Sequence, residues 1–191
     1  GNGMYRMFQS MTALTSLNVS NFDTSGVTDF SSLFSGMTNL TSLDLSSFDT
    51  SNVTDMEHMF SATSNLTSIN LSSFDTSKVE RMKWMFYNAS SLASIDLSSF
   101  DTSSLISMRG MFKGASSLTS LDVSNFDTSG VQNMRDMFEA ANLTSLNVTG
   151  WIITPAASIG NVFYSNTPSL TVYCDQGGSP GTGTFFGRTC N

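Results

Sequence analysis

The chain has 191 residues and a formal net charge of −7, and only 12% of its residues are charged, about half the usual share in a globular domain. It contains no run of about 18 apolar residues, which excludes a membrane-spanning helix, and its acidity argues against a nucleic-acid partner. One histidine and two cysteines leave little material for a histidine-based triad or a structural zinc site.

A 26-residue period runs through most of the chain. The segment Phe-Asp-Thr-Ser recurs with its phenylalanine at Phe22, Phe48, Phe74, Phe100 and Phe126. A Met-Phe pair, or an equivalent pair, follows each copy at the same period. Such a repeat predicts stacked units, because one short unit cannot bury its apolar face without a neighbour on each side.

Within each unit, the first predicted element is a short strand. In the unit at residues 40–60, Leu43 and Leu45 are separated by one polar residue. This alternation predicts a strand with its leucines facing inward and its polar side chains facing outward.

The second predicted element is a helix of about two turns. Val53, Met56, Met59 and Phe60 have the spacing of one helical face. The Asp-Thr-Ser residues at 49–51 are of the types that cap a helix N-terminus. We therefore expect each unit to contain a strand, a capped turn, a short helix and a return.

The unit pattern L-x-x-L-x-L-S-x-F-D-T-S-x-V-x-x-M-x-x-M-F closely resembles the BspA-like leucine-rich repeats of bacterial surface proteins, the DUF285 type, over about residues 4–150. The resemblance implies a right-handed solenoid with a parallel sheet on one side. It also implies secretion or surface attachment, and adhesion to host matrix or to other cells. The family offers no shared catalytic residues to transfer.

The predicted fold is an α/β solenoid with short parallel strands on one face, short helices on the other and a cap at the C-terminus. We expect the repeats, with a truncated first unit, at residues 1–163 and the cap at 164–191. Within the cap, residues 171–173 are predicted to form a last strand, and 184–186 a returning one. Cys174 follows the first of these predicted strands directly, and Cys190 lies four residues after the second. A disulfide between them is expected, with two buried free thiols as the alternative.

The outward strand positions give the first set of candidate binding residues. They form columns of small polar side chains, with candidates at Ser42, Asp44, Ser68, Asn70, Ser94, Asp96, Ser120 and Asp122. Three interpretations stay open: a solvated surface copied with the repeat, a surface for a repetitive ligand such as a glycan or matrix fibre, and ice binding. Stacked aspartates also suit Ca²⁺. Asparagine alternates with aspartate in the strand column, and helix capping explains the aspartates of the Phe-Asp-Thr-Ser segment without metal, so we expect no metal site.

The predicted helix side gives a second candidate site, because its residues differ between units. Trp84 is expected beside His58, Tyr87 and Lys83, as a sugar-stacking platform or a partner anchor. The alternative is an ordinary tryptophan partly covered by its neighbours.

Together these features predict an extracellular or cell-surface binding and adhesion module that recognises a protein or glycan on a host or neighbouring cell. We expect neither an enzyme nor a cofactor, because aspartates repeated in equivalent environments do not give the unequal carboxyl groups that acid–base catalysis needs. The alternative is a structural stalk or spacer with no ligand of its own.

Overall fold

The structure, a computed structural model, describes residues 3–163, 170–174, 184–185 and 188–189. Within these residues the chain forms seven short strands and no helix. The strands are β1 (Ser16–Leu17), β2 (Ser42–Leu43), β3 (Ser120–Asp122), β4 (Ser145–Asn147), β5 (Thr171–Tyr173), β6 (Thr184–Phe185) and β7 (Arg188–Thr189).

Parallel pairing joins equivalent positions of successive units. Strands β1 and β2 form one parallel pair, and β3, β4 and β5 form a three-stranded parallel sheet in that order. The register places Ser16 opposite Ser42, and Ser120 opposite Ser145. Strands β6 and β7 pair antiparallel. The predicted strand at 171–173 is confirmed as β5. Of the strand predicted at 184–186, the two described residues form β6.

A second ladder runs along the other side of the units. Single parallel bridges join the same position in seven consecutive units, at Gly3, Asp29, Asp55, Arg81, Ser107, Asn133 and Ser158. Backbone pairing therefore joins the units on this side from Gly3 to Ser158, and on the strand side within β1–β2 and β3–β4–β5. The apolar side chains lie between the two sides.

The predicted α/β solenoid with helices on one face is wrong. In residues 84–89, alternate N–H groups donate to the following unit, as in Trp84 N–H to Arg109 O (2.8 Å) and Phe86 N–H to Met111 O (2.9 Å). The N–H groups between them close turns three residues back, as in Tyr87 N–H to Trp84 O (3.1 Å). An α-helix would need bonds to the fourth residue back, so this segment is a run of consecutive turns.

Left-handed residues explain why these turns do not become a helix. Six consecutive units each contain two of them, four residues apart, such as Trp84 (φ 58°) and Asn88 (φ 52°). A positive φ interrupts the right-handed helix but suits the third position of a tight turn. Most of the inward methionines and phenylalanines are buried as predicted, with Met7 (44% exposed) and Phe22 (37% exposed) among the exceptions. Residues spaced by three face the core from consecutive turns as well as from a helix.

One column of phenylalanines forms the centre of the core. Rings of adjacent units stack nearly parallel, with centroids 5.6 Å apart for Phe60–Phe86 and for Phe86–Phe112. The stack contains Phe8, Phe34, Phe60, Phe86, Phe112, Phe138 and Phe163. It runs through all the described repeats as one continuous apolar column.

The Phe-Asp-Thr-Ser segment joins the units and does not cap helices. The buried Thr50 hydroxyl donates to Asp75 O (3.0 Å) in the next unit and accepts from Asp75 N–H (2.8 Å). In the same segment, Asp49 Oδ1 accepts the Ser51 N–H (2.9 Å). Each copy thus supplies a side-chain turn and a threonine bridge between units.

Cys174 lies directly after β5, is buried and is disulfide-bonded. Its predicted partner, Cys190, lies outside the described residues, as do most of residues 164–191. The Cys174–Cys190 pairing and the proposed boundary between repeats and cap therefore remain predictions.

Candidate functional site

The outward strand columns are exposed, as predicted. Each of the eight candidate side chains on this face is exposed, while the residues that alternate with them, such as Leu43 and Leu121, are buried. The exposed candidates are Ser42, Asp44, Ser68, Asn70, Ser94, Asp96, Ser120 and Asp122.

The Asp/Asn column of this face has a local structural role. Asp44 Oδ1 accepts the Ser46 N–H at 2.9 Å, and Asn70 Oδ1 accepts the Ser72 N–H at 3.0 Å. The same turn recurs at Asn18, Asp96, Asp122 and Asn147. The aspartate or asparagine at each of these six positions therefore closes the turn that follows it, whether or not a ligand binds.

These turn hydrogen bonds lower the pKa of the aspartates. The Ser46 backbone N–H and hydroxyl hold the pKa of Asp44 below its ordinary value. The Ser51 hydroxyl and N–H do the same for Asp49. Hydrogen bonding favours the ionised carboxylate, so both aspartate columns carry negative charge at neutral pH.

Acid is therefore expected to destabilise the fold. Because the aspartate pKa is lower in the folded chain than in the unfolded chain, this contribution is complete above the unfolded pKa of about 3.9 and is lost as the pH falls through the folded pKa. We expect the urea midpoint to change little between about pH 7 and pH 5 and to fall steeply below about pH 4.

The triple variant Asp49→Asn, Asp75→Asn, Asp101→Asn is the matched control. Asparagine keeps the Oδ1 acceptor, as the chain itself does at Asn70, but does not titrate in this range. The variant should lose part of the acid sensitivity. Stability that rises on acidification would show instead that repulsion between stacked carboxylates outweighs their hydrogen bonds.

Two shallow grooves lie on the strand face. The N-terminal groove, of about 520 Å³, is lined by Ser16, Asn18, Ser42 and Asp44 among others. The C-terminal groove, of about 530 Å³, is lined by Ser94, Ile95, Ser120, Leu121, Asp122, Ser145, Asn147 and Tyr173. The structure thus places five of the eight strand-face candidates in grooves, whereas Ser68, Asn70 and Asp96 line neither.

Sequence reasoning missed Tyr173 as a site residue. It pairs with Asn147 across β4 and β5 and so takes the Asp/Asn position of the column. Its side chain is 44% exposed. Counting one further period from Asn147 would have identified this aromatic substitution.

The second candidate site is also brought together. The His58 and Trp84 rings are nearly parallel with centroids 6.2 Å apart, and Tyr87 meets Trp84 edge-on at 5.2 Å. Partial burial lowers the pKa of His58. The Lys83 ammonium lies 2.7 Å from Glu57 Oε1, so its charge is already paired within the chain.

Both faces of the Trp84 indole are covered by neighbouring units. His58 lies on the side of the preceding unit, and Gly110 of the following unit lies so close that a Cβ there would be 2.3 Å from Trp84 Cε3. The Arg109 guanidinium carbon also lies over the ring, 5.2 Å from its centroid. A ligand would meet the edge of this ring, which does not favour sugar stacking at Trp84.

Gly110 should be essential for the placement of Trp84. We expect Gly110→Ala to lower the free energy of unfolding by about 1–3 kcal/mol, since the new methyl group meets the indole and the residue has a positive φ of 60°. Gly130→Ala is the control, because a Cβ there has an ordinary 3.6 Å contact with Leu105 O.

A double-mutant cycle separates the two causes. In a Trp84→Ala background, Gly110→Ala should lower the free energy of unfolding by clearly less. The clash with the indole is then absent, and only the strain of the positive φ at residue 110 remains. Equal costs in both backgrounds, measured by urea denaturation, would show that contact with Trp84 is unimportant.

Among the described residues, no group of three or more His, Cys, Asp or Glu side chains is arranged to hold a metal ion. The aspartates of the strand face instead make the turn hydrogen bonds described above. The predicted absence of catalytic and cofactor sites stays a prediction.

One family model matches most of the chain. Its description is "Mycoplasma protein of unknown function, DUF285", and it matches residues 2–96 and 72–171. Curated proteins and solved structures give no significant match to this sequence.

Proposed function

The chain belongs to the DUF285 family of mycoplasma proteins of unknown function, and from that premise we propose that it is a binding module of the cell surface. In this proposal it acts outside the cell and recognises a protein or glycan on a host or neighbouring cell. It performs no catalysis. The observation that carries the proposal is the exposed strand face with its two grooves.

The strand face suits recognition because the buried core beneath it and the hydrogen-bonded turns beside it hold it in place. The core residues beneath it, including Leu45 and Val123, are fully or almost fully buried. The turns that follow the Asp/Asn column are closed by side-chain hydrogen bonds, as at Asp44 and Asp122. A rigid surface binds with little loss of conformational entropy. Repeating polar groups at the strand spacing of about 4.8 Å favour a ligand that itself repeats.

The net charge of the chain limits the classes of macromolecule that could be its partner. A net charge of −7 disfavours nucleic acids and anionic membrane surfaces. No helix in the described part of the chain is long and apolar enough to cross a membrane. The proposed partners are therefore neutral or basic macromolecules.

A spacer without a ligand is the second candidate function. One observation favours it: the Asp/Asn column is fully explained by turn closure, as at Asp44 and Asn70. A stalk needs only the stacked core and these turns.

Immobilised protein screened against matrix proteins and glycans distinguishes the two functions. The test variant is Ser94→Arg, Ser120→Arg, which places two bulky cations on the strand face. The matched control is Ser104→Arg, Gln132→Arg, two exposed positions away from that face in neighbouring units. Saturable binding that the first pair abolishes and the second preserves supports the binding module. Binding that both pairs leave unchanged refutes the strand-face site, and no binding to any probe favours the spacer.

A further inference from the structure

The two grooves of the strand face differ in one chemically important respect. Both contain serine hydroxyls and Asp or Asn side chains. Among the described residues that line them, only the C-terminal groove has an aromatic ring, that of Tyr173. The same column position holds Asn18 and Asp44 in the N-terminal groove. The two grooves of one chain therefore allow a direct comparison between a polar groove with an aromatic ring and a polar groove without one.

Tyr173 adds an apolar plane to a polar surface. Its side chain is 44% exposed and lies at one edge of the groove, next to Asn147 in the paired strand. A tyrosine ring offers a large, rigid contact area together with a polar hydroxyl. An exposed ring of this kind at the rim of a groove suits a ligand with one apolar face.

The floor of the groove supplies hydrogen-bonding groups beside that ring. Asp122 Oδ2 accepts from Asn147 Nδ2 at 3.0 Å, which fixes the two side chains against each other. The Ser124 hydroxyl and N–H lower the pKa of Asp122, so its carboxylate is ionised at neutral pH. Ser120 and Ser145 line the same groove from paired strands and can each donate and accept a hydrogen bond.

We propose that the C-terminal groove, with Tyr173 as its platform and Asp122, Asn147, Ser120 and Ser145 as its polar groups, binds a neutral sugar ring of a glycan. A pyranose has a face of C–H groups and a rim of hydroxyls, which matches an aromatic plane beside carboxylate, amide and hydroxyl groups. This inference rests on the proposed binding function and names the ligand class and the groove.

The charge of the groove selects against acidic sugars. An ionised Asp122 accepts hydrogen bonds from sugar hydroxyls but repels a carboxylate or sulfate group on the ligand. The groove volume of about 530 Å³ is within the range of about 300–1,000 Å³ found for ligand pockets, so it accommodates one ring of a longer chain.

Saturation-transfer NMR on the whole chain tests the proposal. The probes are the methyl glycosides of glucose, galactose, mannose and N-acetylglucosamine, with N-acetylneuraminic acid as the anionic comparator. At least one neutral glycoside should receive saturation, and the anionic sugar should not. Tyr173→Ala should weaken the affinity about tenfold or more, whereas Tyr173→Phe, which keeps the ring, should weaken it far less.

One control variant and one further test variant complete the experiment. Tyr5→Ala removes another half-exposed tyrosine, 51% exposed and outside the groove, and should leave binding unchanged. Asp122→Asn keeps an acceptor for the turn and should reduce discrimination against the anionic sugar. Each variant is first shown by its melting curve to be folded.

The outcomes separate this inference from the proposed function. Sugar binding that Tyr173→Ala leaves intact overturns the groove assignment but leaves the binding module in place. Binding to a matrix protein with no response to any sugar overturns the ligand class alone. Failure to bind either sugars or proteins refutes both.

Discussion

Replacement of Phe86 by alanine lowers the free energy of unfolding by about 3–5 kcal/mol. Phe86 is 1% exposed and stacks on Phe60 and Phe112, with both centroid distances at 5.6 Å. Its loss removes apolar burial, leaves a cavity in a packed core and interrupts the phenylalanine column in the middle. Equilibrium urea denaturation measures the loss.

Phe8→Ala is the matched control at the end of the same column. Phe8 stacks on Phe34 at 5.7 Å, and its other ring contact is edge-on with Phe22. It is also 8% exposed. The expected cost is smaller than that of Phe86→Ala, and equal costs at the two sites would contradict the idea that stacking on both sides sets the energy.

Thr76→Val lowers the free energy of unfolding by about 2–4 kcal/mol, because it leaves two partly buried peptide groups without their hydrogen-bond partner. The Thr76 hydroxyl donates to Asp101 O at 2.8 Å and accepts from Asp101 N–H at 2.9 Å. Valine has nearly the same shape but offers no hydrogen bond, so the change isolates the bridge between two units. The measurement is again the urea midpoint and slope.

Two comparisons make this prediction specific. Thr76→Ser keeps the hydroxyl and should cost far less. Thr41→Val removes a hydrogen bond to Thr15 O (3.1 Å) at an exposed position, where water replaces the lost partner, and should cost no more than about 1 kcal/mol. A Thr76→Val cost as small as that of Thr41→Val would show that the bridge does not stabilise the stack.

The sequence predicted which residues face inward but not the backbone that places them there. The 26-residue period and the alternation at Leu43 and Leu45 correspond to the parallel register and the buried positions of the structure. Met56, Met59 and Phe60 are buried as expected. Their spacing of three suits both an amphipathic helix and consecutive turns, so periodicity could not distinguish these backbones.

The left-handed residues would have been the distinguishing signal, and they are hard to recognise. Only Gly36, Gly110 and Gly114 show glycine at these positions, whereas His58 and Ala62 occupy the same positions with φ of 57°. The neighbouring unit over-determines this conformation through its hydrogen bonds. Because that information is non-local, a single unit read alone suggests a helix.

The sequence predicted which residues of the candidate site are exposed, but it did not predict the two grooves that they line. Exposure of Ser94, Ser120 and Asp122 follows from alternation, and the structure agrees. The grooves depend on how successive strands and turns curve, which no pattern of residue types specifies. Tyr173 lies one full period of 26 residues after Asn147. It was missed because the residues from 164 onward depart from the unit pattern and a tyrosine replaces the usual aspartate or asparagine.

The contact between Trp84 and Gly110 makes the order of the units matter. In the same pair of units Asn88 overlies Gly114, where a Cβ would lie 2.1 Å from Asn88 Oδ1. The unit that follows Trp84 and Asn88 therefore has glycine at both left-handed positions. A tandem duplication that placed a second tryptophan-bearing unit directly after the first would remove this space. Duplication or reordering of units is thus restricted here by which unit comes next. The units are not freely interchangeable, even though they share one sequence pattern.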